Sequence, residues 1–264
     1  MKAVLDRIIE KLARGLALYL QKEWPGYRPV SIASAQKLRD CLRPGDILLV
    51  EGDRRVSVAI KYLTQSTWSH AALYVGSAAP ANADPADPAC LIEADMVDGV
   101  IAAPLSRYAG FNLRICRPVN LTEDDCAKVV AYAVSRIGMQ YDLKNAIDLV
   151  RYLLPQPPVP VRWRRKMLAF GGGEPTRAIC STLIAGAFEA IQYPILPDAA
   201  WRDGLGREGE AALREIRHIK GSRLYAPRDF DLSPYFQIIK PALEAGFDYR
   251  QAEWVHNVSE VAAE

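Results

Sequence analysis

The chain has 264 residues, half of them hydrophobic and 24% charged, with a net charge of +2. That length and composition suit one large globular domain, or a compact domain with insertions. The near-neutral charge argues against a dedicated nucleic-acid binder.

The five cysteines, Cys41, Cys90, Cys116, Cys126 and Cys180, are odd in number, widely spaced and contain no CxxC pair. They read as free thiols in a reducing compartment rather than as a disulfide framework, and they make a poor zinc site. Three scattered histidines without an HExxH point the same way, so no metal and no cofactor is expected. No stretch approaches the ~18–20 apolar residues of a membrane span. Asp6, Arg7, Glu10, Lys11 and Arg14 interrupt what would be the apolar core of a secretory leader. The expected location is cytoplasmic.

In chain order, residues 2–21 form an amphipathic helix: Val4, Leu5, Ile8, Leu12, Leu16 and Tyr19 recur at helical spacing opposite the charged positions. Such a helix packs on its domain or lies on a membrane surface or a partner; its polar face carries both signs, which weakens the second reading. Trp24, Pro25, Gly26 and Pro29 end it. Arg43, Pro44 and Gly45 turn the chain into an apolar strand, Asp46–Val50. A helix follows over 54–64. Residues 69–75 alternate as a strand, with His70, Ala72 and Tyr74 on one face and Ala71, Leu73 and Val75 on the other.

Residues 77–89, rich in Ala, Pro and Asp, read as a surface loop. Leu91–Met96 is the partner strand; Leu91, Glu93 and Asp95 share one face, Ile92 and Ala94 the other. Asn112–Arg117 is a further strand. Thr122 is a good helix N-cap, with Glu123, Asp124 and Asp125 in the first turn where the dipole favours acids. The helix it starts is expected to bury Cys126, Val129, Val130, Ala133 and Ile137 and to stop at Gly138. Another helix is predicted over 143–154, followed by the stiff PQPPVP segment.

Arg162, Arg164, Arg165 and Lys166 then cluster around Trp163, either as a solvated turn or as a lid or contact for anionic lipid or substrate. GGGEP at 171–175 is a break. Ser181–Ala190 reads as a helix, and Phe236–Ile239 as a strand. His218 and His256, outside any apolar alternating run, read as surface residues.

Cys180 therefore stands at a helix N-terminus. Unpaired backbone N–H groups and the helix dipole there stabilise a thiolate. A histidine beside it can hold the thiolate as an ion pair and later protonate a leaving group; a carboxylate behind the histidine fixes its orientation. Cys180, His70 and Glu93 can fill those roles if His70 and Glu93 lie on neighbouring strands facing the helix of Cys180. Asp95 has the same phase as Glu93 and is the rival third member. Buried structural cysteine is the commoner case, so pattern alone leaves catalysis and structure both open.

Several segments, in this order, resemble the permuted papain-fold cysteine peptidases and amidases of the NlpC superfamily, in the YiiX-like branch. They are RPGDILLV at 43–50, LTQSTWSHAALYVG at 63–76, LIEA at 91–94, GMQYD at 138–142, ICSTLIAGAFE at 179–189 and APRDFDLSPYF at 226–236. In ordinary papain-like enzymes the cysteine precedes the histidine; here the histidine comes first, as circular permutation implies.

The resemblance implies an α+β fold, a circularly permuted papain-like arrangement with a small antiparallel sheet packed on helices and an extra N-terminal amphipathic helix. It divides the chain into an N-terminal helix and linker (1–37), a catalytic domain (38–240, with an insertion at 143–177) and a C-terminal tail (241–264). It makes Cys180 the nucleophile, His70 the base and Glu93 the orienting residue, with Tyr141 near the oxyanion site. The expected activity is that of a cysteine hydrolase, an amidase or peptidase working through an acyl-enzyme. The alternatives are an acyltransferase on a lipid or amine, as in the related lecithin:retinol acyltransferase group, and a non-enzymatic papain-like binding module. Expected partners are a peptide, acyl-amide or lipid substrate and no nucleic acid. The N-terminal helix and the Trp163 cluster lean towards a peripheral membrane contact.

Overall fold

The computed structural model describes residues 15, 18–25, 35–82, 84–95, 97–139, 180–196, 225–241, 248 and 250. The 143–177 insertion with its basic cluster, Tyr141, His218, His256 and most of the C-terminal tail lie outside these residues. So does most of the 2–21 helix, of which residues 15 and 18–20 are helical. Among the described residues no helix is long and apolar enough to cross a membrane.

The described elements are helix α1 (Ala35–Cys41), strand β1 (Ile47–Glu51), helix α2 (Arg55–Thr64) and strands β2 (His70–Tyr74), β3 (Ala89–Asp95), β4 (Gly99–Pro104) and β5 (Asn112–Pro118). Helices α3 (Glu123–Ser135), α4 (Cys180–Ala190) and α5 (Pro227–Leu232) and strand β6 (Phe236–Ile239) complete them. All six strands pair antiparallel in the order β4-β3-β2-β1-β5-β6. The architecture is α+β, as expected. The sheet is larger than expected, because β4 was not anticipated. Its residues, GVIAAP, carry no polar–apolar alternation to announce a strand.

Both faces of the sheet are covered, and strand periodicity decides which residue meets which layer. Ile47, Leu49, Ala71, Leu73, Ile92 and Ala94 pack with α3 and α4 residues such as Val129, Ala133, Leu183 and Ile184. Leu48, Val50, Ala72, Leu91 and Ile115 pack instead with Leu38 and Leu42 near α1, and with Leu105 and Tyr108 of a short 3-10 helix after β4. A central strand buried on both faces reads as an unbroken apolar run, which is why ILLV lacks alternation.

Helix α4 is buried nearly all round, from Cys180 through Phe188, the mark of a core helix rather than a surface one. It lies close against α3 because Gly186 faces Tyr132. A Cβ there would sit 2.7 Å from the Tyr132 hydroxyl. Helix α3 starts as expected, with the Thr122 hydroxyl accepting from the Asp125 N–H at 3.1 Å.

Two polar clamps fix the ends of the central strands. Asp46, 1% exposed, receives the Arg117 guanidinium on both oxygens (2.9 and 2.7 Å) and the Arg43 N–H (2.8 Å). This explains RPGD as a structural signature: the turn delivers a carboxylate that locks β1 to β5. At the other end, Asp231 of α5 accepts from the Trp68 indole N–H at 3.0 Å and pairs with Arg114 of β5 at 2.6 Å. Arg114 also stacks over the Trp68 ring at 4.9 Å. The chain entering β2 is thereby held two residues before His70.

Removing one partner of a buried bidentate pair leaves the other charge uncompensated. Asp46→Ala is expected to cost about 3 kcal/mol of stability. Urea unfolding checks this, as a lowered midpoint at unchanged slope.

Candidate active site

His70 opens β2 and Cys180 opens α4. They meet where the sheet parts. Strands β2 and β3 pair over Leu73↔Ile92 and Tyr74↔Leu91, and the pairing goes no further toward His70. Alternate N–H groups of β2 point to opposite neighbours: Tyr74 donates toward β1, to Asp46 (2.8 Å), and Val75 toward β3, to Cys90 (2.8 Å). Ala71 has the phase of Val75, so its N–H points to the side where β3 has left. It donates instead to the Cys180 sulfur, as does the Ser181 N–H.

The Cys180 thiol is 8% exposed. Burial alone would push its pKa up; the positive His70 ring, a hydrogen bond from that ring and the two backbone N–H groups outweigh it, and the pKa lies below the ordinary thiol value. The reverse holds for His70. Burial disfavours its charged form, but the Cys180 thiolate and then Glu93 favour it more, raising the pKa from 6.5 to about 10. Each group thus holds the other in its charged form.

The His70 Nε2 stands 2.9 Å from Glu93 Oε2, leaving Nδ1 as the nitrogen for Cys180. Glu93 is 1% exposed. Burial would raise its pKa, but His70, Arg107 and Tyr108 lower it to about 2. The Tyr108 hydroxyl donates to Oε2, and the Arg107 Nε lies 3.1 Å from Oε1. Tyr108 remains a neutral donor: its own pKa is driven far up, by burial first and by the Glu93 charge second.

His70 and Glu93 lie on neighbouring strands but do not both face the cysteine's helix. Residues in phase with Glu93 pack on the layer holding Leu105 and Tyr108, opposite α4. His70, at the strand's open end, spans from that layer to Cys180. The rival carboxylate is placed too. Asp95 accepts from Gln21 Nε2 (2.6 Å) and from the Val97 and Asp98 N–H groups (2.8 and 3.2 Å), and it pairs with Arg107 at 3.5 Å. Glu93, not Asp95, is the carboxylate on the histidine. Tyr141 lies outside the described residues.

Arg107 and Tyr108 were missed by sequence reasoning. Their signal is topological: β3 and β4 form a hairpin with Glu93 opposite Ile101, and the 3-10 helix folds back beneath Glu93. A cavity of about 130 Å³ opens beside Cys180 and His70. Val56, Ile60 and Phe111 give it apolar walls, and Asp53, Arg54 and Arg107 charge it. Gly52 borders it: its N–H donates to Ser69 Oγ at 2.9 Å, and a Cβ there would strike Ser57 Oγ at 2.3 Å.

Residues 41–152 match the family described as permuted papain-like amidase enzyme, YaeF/YiiX, C92 family. The matched segment contains His70, Glu93, Arg107 and Tyr108; Cys180 lies beyond it. No protein with a curated description matches the chain. A solved structure similar to it is that of yiiX from Escherichia coli O157:H7, described as a metalloprotein. It is 16% identical, and the alignment covers 81% of this chain and 98% of that one at a TM-score of 0.41. Among the described residues here, no group of three or more His, Cys, Asp or Glu is placed to hold a metal ion. At the coarse level the family match puts the protein with the papain-like hydrolases. Over residues 41–152 the chain is similar to the YaeF/YiiX family of permuted papain-like amidases.

Proposed function

We propose that the protein is a cysteine amidase in which Cys180, His70 and Glu93 act as a triad through an acyl-enzyme. The observation that carries this reading is the order of contacts across the three groups: a sulfur that accepts from two backbone N–H groups and faces the His70 ring, and behind that ring a buried carboxylate 2.9 Å away. A buried structural cysteine needs none of these. Cys116 is the contrast within the same chain: wholly buried, its thiol is pushed up by burial.

The Cys180 sulfur attacks the amide carbonyl carbon, and the oxygen becomes an oxyanion. The Cys180 N–H, at the first position of α4 where a helix supplies no partner of its own, is its donor. His70 gives its proton to the leaving nitrogen as the C–N bond breaks, leaving a thioester. Water then loses a proton to the neutral His70 ring and attacks the thioester; the C–S bond breaks and the thiolate returns. Glu93 holds the ring and its charge through both halves and takes no proton.

The alkylation of Cys180 by iodoacetamide tests the pair. Wild type is expected to react rapidly at neutral pH, with its acid limb well below the ~8.5 of a free thiol. His70→Ala should lose that limb and slow by about tenfold or more at neutral pH, because the thiol returns to an ordinary or raised pKa. Equal rates at Cys180 in both proteins would overturn the triad.

A second outcome concerns acid. The Glu93 pKa is depressed from 4.5 to about 2. Its contribution to stability is therefore complete above about pH 4.5 and is lost as pH falls toward 2. Between about pH 5 and pH 3 wild type should lose about 2 kcal/mol more stability than Glu93→Gln, measured by urea unfolding at each pH.

A further inference from the structure

Glu93 has both oxygens engaged, and the engagements differ. Oε2 takes the His70 ring and the Tyr108 hydroxyl; Oε1 takes Arg107 at 3.1 Å. Arg107 is not free to turn. Its Nη2 lies 3.5 Å from Asp95 Oδ2, two residues along the same strand and on the same face. Asp95 is itself fixed by Gln21, by the Val97 and Asp98 N–H groups and, at 3.9 Å, by Arg54. The guanidinium thus straddles two carboxylates of β3 and keeps the nearer one aimed at the histidine.

We propose that Arg107 is a positioning residue for the amidase chemistry: it keeps Glu93 ionised and turned so that Oε2 meets His70, acting on the ring only through Glu93. The inference rests on the triad reading above. Its physical basis is the cost of a buried, half-answered carboxylate. At 1% exposure Glu93 cannot replace a lost guanidinium with water where it stands. It must either swing toward solvent or take up a proton. Both routes remove the negative partner of His70.

The sign of the effect separates this from simpler roles. As a mere neighbouring cation, Arg107 would disfavour the His70 proton, and its removal would make the ring hold that proton more tightly. As a positioning residue it does the opposite. Among the described residues, the other groups that face the ring are Cys180 from α4, Glu93 from β3 and Tyr108 from the 3-10 helix. Arg54 and Asp95 pair with one another at the cavity rim.

The test follows the ring titration of His70 by NMR in histidine-labelled protein. The chain has three histidines, and His70→Gln identifies the signal. Arg107→Gln is expected to lower the His70 titration by about one pH unit or more, while Arg107→Lys, which keeps the charge, stays near wild type. In a Glu93→Gln background Arg107→Gln should no longer lower the titration, since the path through Glu93 is already cut. That second pair of variants leaves no buried carboxylate unanswered and serves where Arg107→Gln alone does not fold.

An unmoved titration in Arg107→Gln, a raised one, or an equal shift in the Glu93→Gln background would overturn the proposal. Were the wild-type ring itself to titrate near about 6.5, the thiolate–imidazolium reading would fall, and this one with it. A high wild-type titration with Arg107→Gln unmoved would overturn the positioning role alone.

Discussion

A carboxylate almost sealed from water has to be answered by its surroundings or it does not stay a carboxylate. Glu93 is that group, and the arrangement around it follows from the need. Two elements contribute: β2 sends His70, and the 3-10 helix after β4 sends Arg107 and Tyr108. Without the negative charge the histidine would have one anionic partner instead of two, and burial would favour its neutral form. Without the charged histidine the buried thiol would follow Cys116 upward. The reactive sulfur thus depends on a side chain it does not touch.

The second constraint is the gap between β2 and β3. A continuous ladder would satisfy the Ala71 N–H on its neighbour and close the space that Cys180 occupies. By parting after Leu73↔Ile92, the strands free a backbone donor at the open end of the sheet. The clamps on either side make the gap tolerable. Asp231 fastens the approach to β2 through Trp68, and Asp95 ties the end of β3 to Gln21. Asp231 and Gln21 both lie far in sequence from the strands they secure, so the site is held by tertiary contacts more than by local propensity.

Much of the frame could be read in advance because it depends on short-range patterns. The alternation at 70–75, the apolar run of β1 and the Thr122 cap each express a local rule, and each stands where it was expected. What escaped depends on register. Glu93 and Asp95 have the same phase on one strand, so periodicity cannot choose between them; the diagonal across the parted strands does. Arg107 and Tyr108 were illegible for a related reason. They reach Glu93 only because β4 folds back on β3, and β4 is a strand of Ala, Val, Ile, Gly and Pro that offers no alternation. The helix of Cys180 was legible as a helix, but the face of the sheet it covers was not, since its burial is nearly uniform around the axis.

The chain order of these parts has a consequence for biosynthesis. Strands β1 to β5, with His70, Glu93 and Arg107, all precede α4, so most of the sheet emerges from the ribosome before the cysteine does. Until α4 docks, neither the Ala71 N–H nor the His70 ring reaches the sulfur, and the nascent thiol is an ordinary one. Docking of a single buried helix both completes the core and brings the Cys180 sulfur to the histidine. In the proposed mechanism the polypeptide therefore carries no activated sulfur until α4 has docked.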